Sequence, residues 1–428
     1  MAQDEEPLGI AMNRRALLKQ LGLTAATLPF ARAHWACAAD LPAAAGNKRL
    51  VVLMLRGAVD GLSLVAPHAD SDYYALRPNI AIPRPGGAGG LLDLDGRFGL
   101  HPALAPLLPL WQARQLAFVH AAGSPDPTRS HFDAQDYMES GTPGVKSTGD
   151  GWMNRLLGQL PQQPGALAAV SFGPVLPRIC SGPQSVANVP LGRAASRPTA
   201  MDRPEINSAF DRMYAGAGSL GEAYREGRRS RQEILAELNE PAAMEAQQAD
   251  NGAPPPQGYA QDTAQLARLM QRNPRLQLAF MQLGGWDTHV NQGAADGQLA
   301  RRLQPLGEGL AQLASGLGPL WNDTVVVVMS EFGRTARENG NHGTDHGHGN
   351  LMWVLGGPVA GGKVYGEWPG LAAAALHEGR DLAVTTDFRT VLARVCGQHL
   401  RLPDRRLDAV FPRAPGTGAA QLQGLLDT

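Results

Sequence analysis

A dense cluster of metal-ligand residue types lies in residues 342–350, which contain His342, His346, His348 and Asp345 among small residues. Glycine lets a backbone approach a ligand closely, so such a run suits several side chains around one ion. Imidazole and carboxylate together favour Zn²⁺, Mn²⁺ or Fe. We therefore predict a divalent metal site, with zinc or manganese expected, and Asp345, His346 and His348 among the candidate ligands.

Acidic residues follow three apolar runs that read as strands. Asp60 follows the first, and Asp287 and Glu331 follow two later ones, with His289 two residues after Asp287. In open parallel sheets ligands bind beyond the carboxyl ends of the strands. These four residues are therefore predicted as further metal ligands. Each acid also has a structural alternative: a turn for Asp60, a helix cap for Asp287 and an ion pair with Arg334 for Glu331.

A candidate nucleophile, Ser130, precedes a helical pattern that begins at His131, and with Asp133 it forms a variant capping box. Backbone N–H groups and the helix dipole favour negative charge at this position. A metal could lower the pKa of the hydroxyl, so that capping and nucleophilic roles are compatible. Thr128 is a weaker candidate. His131 could act as ligand, base or stacking residue.

Three arginines, Arg56, Arg129 and Arg334, lie beside the same loops. A guanidinium offers a planar fork that matches phosphate or sulfate oxygens, although each arginine could instead form a structural ion pair. We take Arg334 as the candidate for binding the substrate oxygens.

Short apolar runs alternate with helical patterns, which predicts an α/β fold with a mostly parallel sheet covered by helices on both faces. The predicted strands are Arg49–Leu55, Leu116–Ala121, Ala168–Phe172, Leu276–Leu283, Thr324–Met329 and Leu351–Leu355. The predicted helices are His131–Ser140, Ala260–Arg272, Leu299–Leu317 and Asp387–Leu400. Residues 195–257 are polar and read as a helical insertion, and residues 83–90 read as a surface loop.

The amino terminus has the pattern of an export signal. Arg14 and Arg15 precede a short apolar stretch and small residues near position 38, and residues 1–11 look like an upstream extension. We predict a twin-arginine signal over residues 1–38, the twin-arginine translocase as a partner, and a periplasmic or secreted protein. Lipidation at Cys37 and an amphipathic first helix of the mature domain are the alternatives.

The remaining chain, residues 39–428, is predicted to be a single domain. The whole chain has 38 basic and 39 acidic residues and no basic cluster, which argues against a nucleic-acid partner. Cys180 and Cys396 could pair in an oxidising compartment, while the helical pattern around Cys396 also suits a core position. The sequence does not indicate an oligomeric state.

Six motifs together resemble an exported bacterial family, domain of unknown function 1501, a distant branch of the alkaline phosphatase and sulfatase superfamily. The resemblance covers nearly the whole chain and implies an alkaline-phosphatase-like fold. The motifs are residues 55–62, 129–133, 285–289, 330–335, 343–348 and 385–389.

The resemblance implies roles for the residues at each motif. Asp60 resembles the first-strand metal aspartate, and Ser130 falls where the nucleophile-bearing helix would start. Asp287 and His289 resemble the later Asp/His pair of one metal site, and His346 resembles the last metal histidine.

The family pattern is broken after Glu331, where Phe332 stands in place of a histidine. His348 or Asp345 would then supply the missing ligand, and the site would hold one metal ion or two unequal ones.

The implied activity is metal-assisted hydrolysis of a phosphate or sulfate ester of a small molecule or glycan. Phosphate is favoured because residues 124–129 only loosely resemble the C/S-x-P-x-R setting of formylglycine sulfatases. The alternatives are a non-catalytic export or assembly factor, and a glycan-binding protein in which Trp152, Trp286 or Trp353 stacks on sugars.

Overall fold

A nine-stranded mixed sheet forms the centre of the chain in the computed structural model, which describes residues 48–161, 167–189, 249–414 and 416–427. The predicted signal, residues 1–38, and residues 195–248 of the predicted insertion lie outside the described residues. The strands are β1 (Arg49–Leu55), β2 (Val65–Ala66), β3 (Leu92–Asp93), β4 (Gly99–Leu100), β5 (Leu116–Gly123), β6 (Ala169–Phe172), β7 (Ala187–Val189), β8 (Leu278–Leu283), β9 (Thr324–Ser330), β10 (Asn350–Gly356), β11 (Lys363–Tyr365) and β12 (Thr386–Asp387).

The main sheet has the strand order β11-β5-β10-β9-β1-β8-β6-β7, and β12 pairs with β5. All pairings are parallel except those of β10, which runs antiparallel to both β5 and β9. The sheet is therefore mostly parallel, as predicted. Strands β2, β4 and β3 form a separate small antiparallel sheet.

Helices lie against both faces of the main sheet. The α-helices are α1 (Gly61–Leu64), α2 (Ser71–Leu76), α3 (Leu108–Gln112), α4 (His131–Ser140), α5 (Trp152–Gln159), α6 (Tyr259–Arg272), α7 (Gln298–Leu317), α8 (Phe388–Gln398) and α9 (Asp404–Val410). The 3₁₀ helices are Pro102–Leu107, Arg178–Cys180, Gly318–Asp323, Ala373–Ala375 and Ala420–Leu422.

All seven residues of β1 are buried, which explains why residues 50–55 form a continuous apolar run in the sequence. Val51, Leu53 and Leu55 pack on one face with residues of α6 and α7. The alternate residues Leu50, Val52 and Met54 pack on the other face with residues of α5 and α8. A strand covered on both sides has no polar face, which is typical of the interior of a parallel sheet.

Cys180 and Cys396 are both buried, free thiols in the core on the α5 and α8 side. They do not pair, and the core position expected for Cys396 from its helical pattern is confirmed. No helix among the described residues combines the length and the apolar character that a membrane span requires.

The strand directions bring several loops to one edge. Strands β1, β8 and β9 are parallel neighbours, and β5 runs in the same direction because both β5 and β9 are antiparallel to β10. These four strands end at the same edge, and β10 begins there. The histidine-rich residues 342–350 also lie at this edge. No helix separates β9 from β10 in the described chain, so the chain turns back and β10 begins at the edge where β9 ends.

Candidate metal centre

At this edge, His131, Asp287 and His346 form a group that could hold a metal ion, with one ligand atom from each within 4.8 Å of the others. Nε2 of His131 lies 2.9 Å from Nε2 of His346. Oδ1 of Asp287 lies 3.8 and 3.4 Å from the Nε2 atoms of His131 and His346. Nε2 of His289 lies 3.0 Å from both Asp287 Oδ1 and His346 Nε2. Tetrahedral zinc with bonds near 2.0–2.1 Å would separate its donor atoms by about 3.3 Å, so the spacing fits one ion.

Each of the three imidazoles turns its Nδ1 towards an oxygen that can only accept a hydrogen bond. Carboxylate and carbonyl oxygens have no proton to donate, so each Nδ1 carries a hydrogen, and in a neutral ring Nε2 presents a lone pair. Burial alone would lower the pKa of His131, but its hydrogen bonds to Asp287 and Glu331 raise it to about 9, so this ring carries a second proton until a metal ion replaces it. Two lone pairs about 3 Å apart repel unless a proton or a metal ion lies between them. The donor set therefore fits a metal ion. The three contacts are His131 Nδ1 with Glu331 Oε1 at 2.8 Å, His289 Nδ1 with Asp345 Oδ1 at 3.1 Å and His346 Nδ1 with the Arg129 carbonyl at 2.9 Å.

Glu331 lies behind His131 instead of facing the group. Its Oε1 accepts hydrogen bonds from His131, from the Gly57 amide at 2.7 Å and from Gln135 Nε2 at 2.9 Å. Its Oε2 accepts from Ser330 Oγ at 2.9 Å. Burial alone would raise the pKa of Glu331, but these donors, His131 first, lower it to about 2. The carboxylate thus orients His131, in the manner of the outer partners of metal-bound histidines.

Asp345 and His348 also lie outside the three-residue group. Asp345 accepts from His289 Nδ1 and from Asn339 Nδ2, so its carboxylate supports His289 from the exposed side. The ring of His348 is buried and lies against the ring of His377, with the centroids 4.4 Å apart. Burial lowers the pKa of His348 to about 4.

Asp60 is fully buried and is engaged by other residues. Its two oxygens accept from Arg77 at 2.6 and 3.0 Å, and Ser63 and Gln292 donate to Oδ2. Burial would raise the pKa of Asp60, but Arg77 and the other donors hold it below its usual range. Asp60 is therefore not among the residues that form the candidate metal group, and its charge is instead paired with Arg77.

Arg334 is buried and binds the loops together. Its guanidinium donates to the carbonyl oxygens of Gly57, Ala58 and Thr344 and to Oδ1 of Asp287. The side chain therefore fixes the position of Asp287. The N–H groups of Arg334 donate to protein oxygens. The structure therefore does not support the predicted role of Arg334 in binding substrate oxygens.

Ser130 is exposed at the start of α4, immediately before His131. Its Oγ accepts from the Asp133 amide at 3.4 Å, which confirms the predicted N-cap, although the hydrogen bond is long. The helix ends at Gly141 in a left-handed conformation with φ 69°, as the sequence indicated.

Glycines let the loops of the site approach backbone to backbone. A Cβ at Gly343 would lie 2.3 Å from the carbonyl carbon of His289. A Cβ at Gly347 would lie 2.4 Å from the carbonyl carbon of Arg334. Only glycine fits at these two positions without a shift of the neighbouring loop, which explains their alternation with the histidines.

Sequence reasoning missed Gln292, a fully buried amide that joins the ligand loops. Its Oε1 accepts from Thr288 Oγ1 at 2.7 Å and from Thr344 Oγ1 at 3.0 Å, while its Nε2 donates to Asp60 at 2.7 Å. Thr288 lies between Asp287 and His289 in the chain. No sequence signal distinguishes such a glutamine, because it is neither titratable nor part of a recognisable spacing.

The described end of the predicted insertion also reaches the site. The Ala249 carbonyl accepts from Gln135 Nε2, and Asp250 Oδ1 accepts from the Gly285 amide, each at 2.5 Å. Burial raises the pKa of Asp250 to about 6. Phe332, which breaks the family pattern, packs its ring against His131 and His346 with centroid distances of 4.8 and 5.1 Å.

Three solved structures are similar to the chain at low identity. A lipoteichoic acid synthase, LtaP, from Listeria monocytogenes shares 12% identity with a TM-score of 0.32 over 76% of this chain and 68% of that one. Ps i-CgsB in complex with k-i-k-neocarrahexaose shares 9% identity with a TM-score of 0.37 over 74% and 68%. A protein in the alkaline phosphatase superfamily from Vibrio parahaemolyticus shares 11% identity with a TM-score of 0.33 over 72% and 60%. At these TM-scores we draw nothing about activity from the likeness.

No curated protein matches the sequence. One family model does match, over residues 47–411, and it covers all the motifs on which the resemblance depended. The chain therefore belongs to the family described as Protein of unknown function (DUF1501).

Proposed function

We propose that the protein is a metal-dependent hydrolase of phosphate or sulfate esters, with phosphate the favoured group. The observation that supports the proposal most is the convergence of the Nε2 atoms of three histidines on Oδ1 of Asp287 at one edge of the sheet. Ligands of open α/β sheets bind at this edge.

His131, Asp287 and His346 would hold the ion, with His289 as a fourth donor. This set of imidazole and carboxylate suits zinc or manganese, and it accounts for one ion. When bound, the ion would polarise the ester oxygen and stabilise the charge that develops on it.

Ser130 is the residue proposed to attack the ester. Its exposed hydroxyl adjoins His131 in the chain and lies at the amino terminus of α4, where backbone N–H groups favour negative charge. Its Oγ would form a bond to phosphorus as the bond to the leaving alcohol breaks, and the serine proton would pass to that alcohol. Water would then hydrolyse the seryl ester and restore the hydroxyl.

The test measures metal content and ester hydrolysis together. We expect about one equivalent of zinc or manganese per chain, lost in Asp287→Ala and His346→Ala together with at least about a thousandfold of kcat/KM. His342→Asn is the matched control, because His342 belongs to the same loop but is exposed and has φ 53°, which asparagine tolerates.

Two outcomes would contradict the proposal. If no metal binds even after reconstitution, the hydrolase proposal would be wrong, and a non-catalytic export or assembly factor would be favoured. Full activity in Ser130→Ala, with metal retained, would remove only the covalent step and leave direct attack by water.

We also propose export through the twin-arginine translocase, which rests on residues 1–38 of the sequence. Arg14→Lys combined with Arg15→Lys should leave the protein in the cytoplasm, as cell fractionation would show. An unchanged distribution would rule out this route.

A further inference from the structure

Two of the exposed large hydrophobic side chains directly follow histidines of the candidate metal centre in the chain. Most apolar side chains of this size are buried, and scattered exceptions are common on protein surfaces. In the described part of the chain, the exposed ones are Phe132 at 84%, Val175 at 64%, Val290 at 45% and Leu176 and Val145 at 40%.

Two of these residues adjoin metal-site histidines directly. Phe132 follows His131 and Val290 follows His289. Successive residues of a helix point about 100° apart, so Phe132 projects from α4 into solvent while His131 turns inwards. Both imidazoles contact His346, so Phe132 and Val290 each follow a residue of the same centre.

The loop that contains Val145 returns to the first turn of α4. Lys146 Nζ lies 2.7 Å from Oδ1 of Asp133, which is the residue after Phe132. This ion pair holds the loop near the amino-terminal end of the helix, where Phe132 is exposed.

The loop that contains Val175 and Leu176 leaves the carboxyl end of β6, at the edge where β8 also ends. Nε of Arg178 lies 2.7 Å from Oδ1 of Asp136. Asp136 is four residues after Phe132 and therefore shares its side of α4. Val175 and Leu176 are thus placed along the same side of the helix as Phe132.

We propose that the ester hydrolysed at this site carries an apolar group, aromatic or alkyl, which lies against Phe132 and Val290 while the ester meets Ser130 and the metal group. This inference rests on the proposed function and names its substrate class. Exposed apolar groups next to polar side chains that converge on one point are typical of a ligand-binding surface. Phe132 and Val290 each adjoin a histidine of the candidate metal centre, which favours an apolar group of the substrate as the occupant of this surface.

The test compares two phosphate monoesters of alkyl alcohols, 2-phenylethyl phosphate and glycerol 1-phosphate, on the metal-loaded full chain. Their leaving groups are chemically similar, so a preference reports binding of the phenyl ring. We expect kcat/KM to favour the phenylethyl ester at least about tenfold. Phe132→Ser and Val290→Ser should each reduce that preference several-fold, mainly through KM, whereas Phe132→Trp should retain it.

The outcomes separate this inference from the proposed function. No turnover of either ester with any metal would count against the hydrolase itself. Turnover of both esters at similar kcat/KM, unaffected by Phe132→Ser, would overturn only the apolar substrate. Binding to phosphatidylcholine vesicles that Phe132→Ser abolishes, without any preference between the esters, would assign the surface to a membrane and also overturn it.

Discussion

In each imidazole of the site, one hydrogen bond from Nδ1 orients the ring so that Nε2 faces the candidate metal position. Glu331 is fully buried and charged, whereas Asp345, the equivalent partner of His289, has a side chain that is 55% exposed. Water weakens the interaction of an exposed carboxylate with its partner. The buried partner should therefore matter more for metal affinity.

Glu331→Gln should reduce metal affinity by about 10- to 100-fold, because the neutral amide lowers the basicity of His131 while it preserves the shape of the site. Asp345→Asn is the matched variant and should have a smaller effect. Competition titration with a chromophoric chelator measures both affinities. Equal losses in the two variants would contradict the difference in burial on which the prediction depends.

The sequence identified which residue types form the site, but it did not show which partners their side chains contact. Asp60 and Asp287 both follow a strand at the same edge, and nothing in the sequence separates them. In the structure Arg77 takes the first carboxylate and three histidines surround the second. The partner of a carboxylate depends on side-chain contacts between residues far apart in the chain, which local spacing does not encode.

At the scale of elements, Gln292 holds the loop after β8 against the loop before β10. Its amide group uses an oxygen for two threonine hydroxyls and a nitrogen for Asp60. Both loops carry metal-group residues, so this glutamine is a positioning residue for the centre.

Gln292→Met should leave the hydroxyls of Thr288 and Thr344 without their acceptor and remove one of the donors to Asp60 Oδ2, where Arg77 and Ser63 still donate. We expect a loss of about 2–3 kcal/mol in unfolding free energy. The substitution should also weaken metal binding and change the visible spectrum of the Co²⁺-substituted protein, since the ligand loops would shift. Gln271→Met is the control, because Gln271 donates to the Gly316 carbonyl near the surface and not to a ligand loop. A destabilised variant with an unchanged Co²⁺ spectrum would show that Gln292 has a structural role alone.

Long strands and helices were predictable, and short ones were not. Strands β1 and β9 are continuous apolar runs because helices cover both of their faces, and α4 has a serine at its start and a glycine at its end. Strands β2, β3 and β4 have two residues each, too few to show a periodicity. The reversed direction of β10 also escaped prediction, because an apolar run has no sign of direction.

For the whole molecule, buried neutral histidines connect stability to pH. His101, His120 and His399 are buried, and burial lowers the pKa of each to about 4. Unfolding would return each pKa to about 6.5, so between these values the unfolded chain binds more protons than the folded one. This contribution to stability is complete above pH 6.5 and is lost as the pH falls towards 4.

His120→Gln should reduce the loss of stability between pH 7 and pH 5 by about 2 kcal/mol, since His120 is fully buried and a glutamine does not titrate. Its amide can still donate to the Val65 carbonyl that His120 Nε2 contacts at 2.8 Å. Chemical denaturation at the two pH values measures the change, with His342→Asn as the exposed control. An unaltered pH dependence in His120→Gln would show that His120 is not the source.

Because Cys180 and Cys396 are free thiols, a metal ion bound by His131 and His346 would have a second role as a cross-link between distant parts of the chain. Among the described residues the cysteines form no cross-link, yet His131 and His346 meet from positions 215 residues apart in the chain. An ion held between them would close that long loop as a disulfide does in many exported proteins, and closing a long loop restricts the unfolded chain strongly. Resistance to proteases would then depend on metal supply instead of redox conditions, and chelation would act on this protein as reduction acts on a disulfide-linked one.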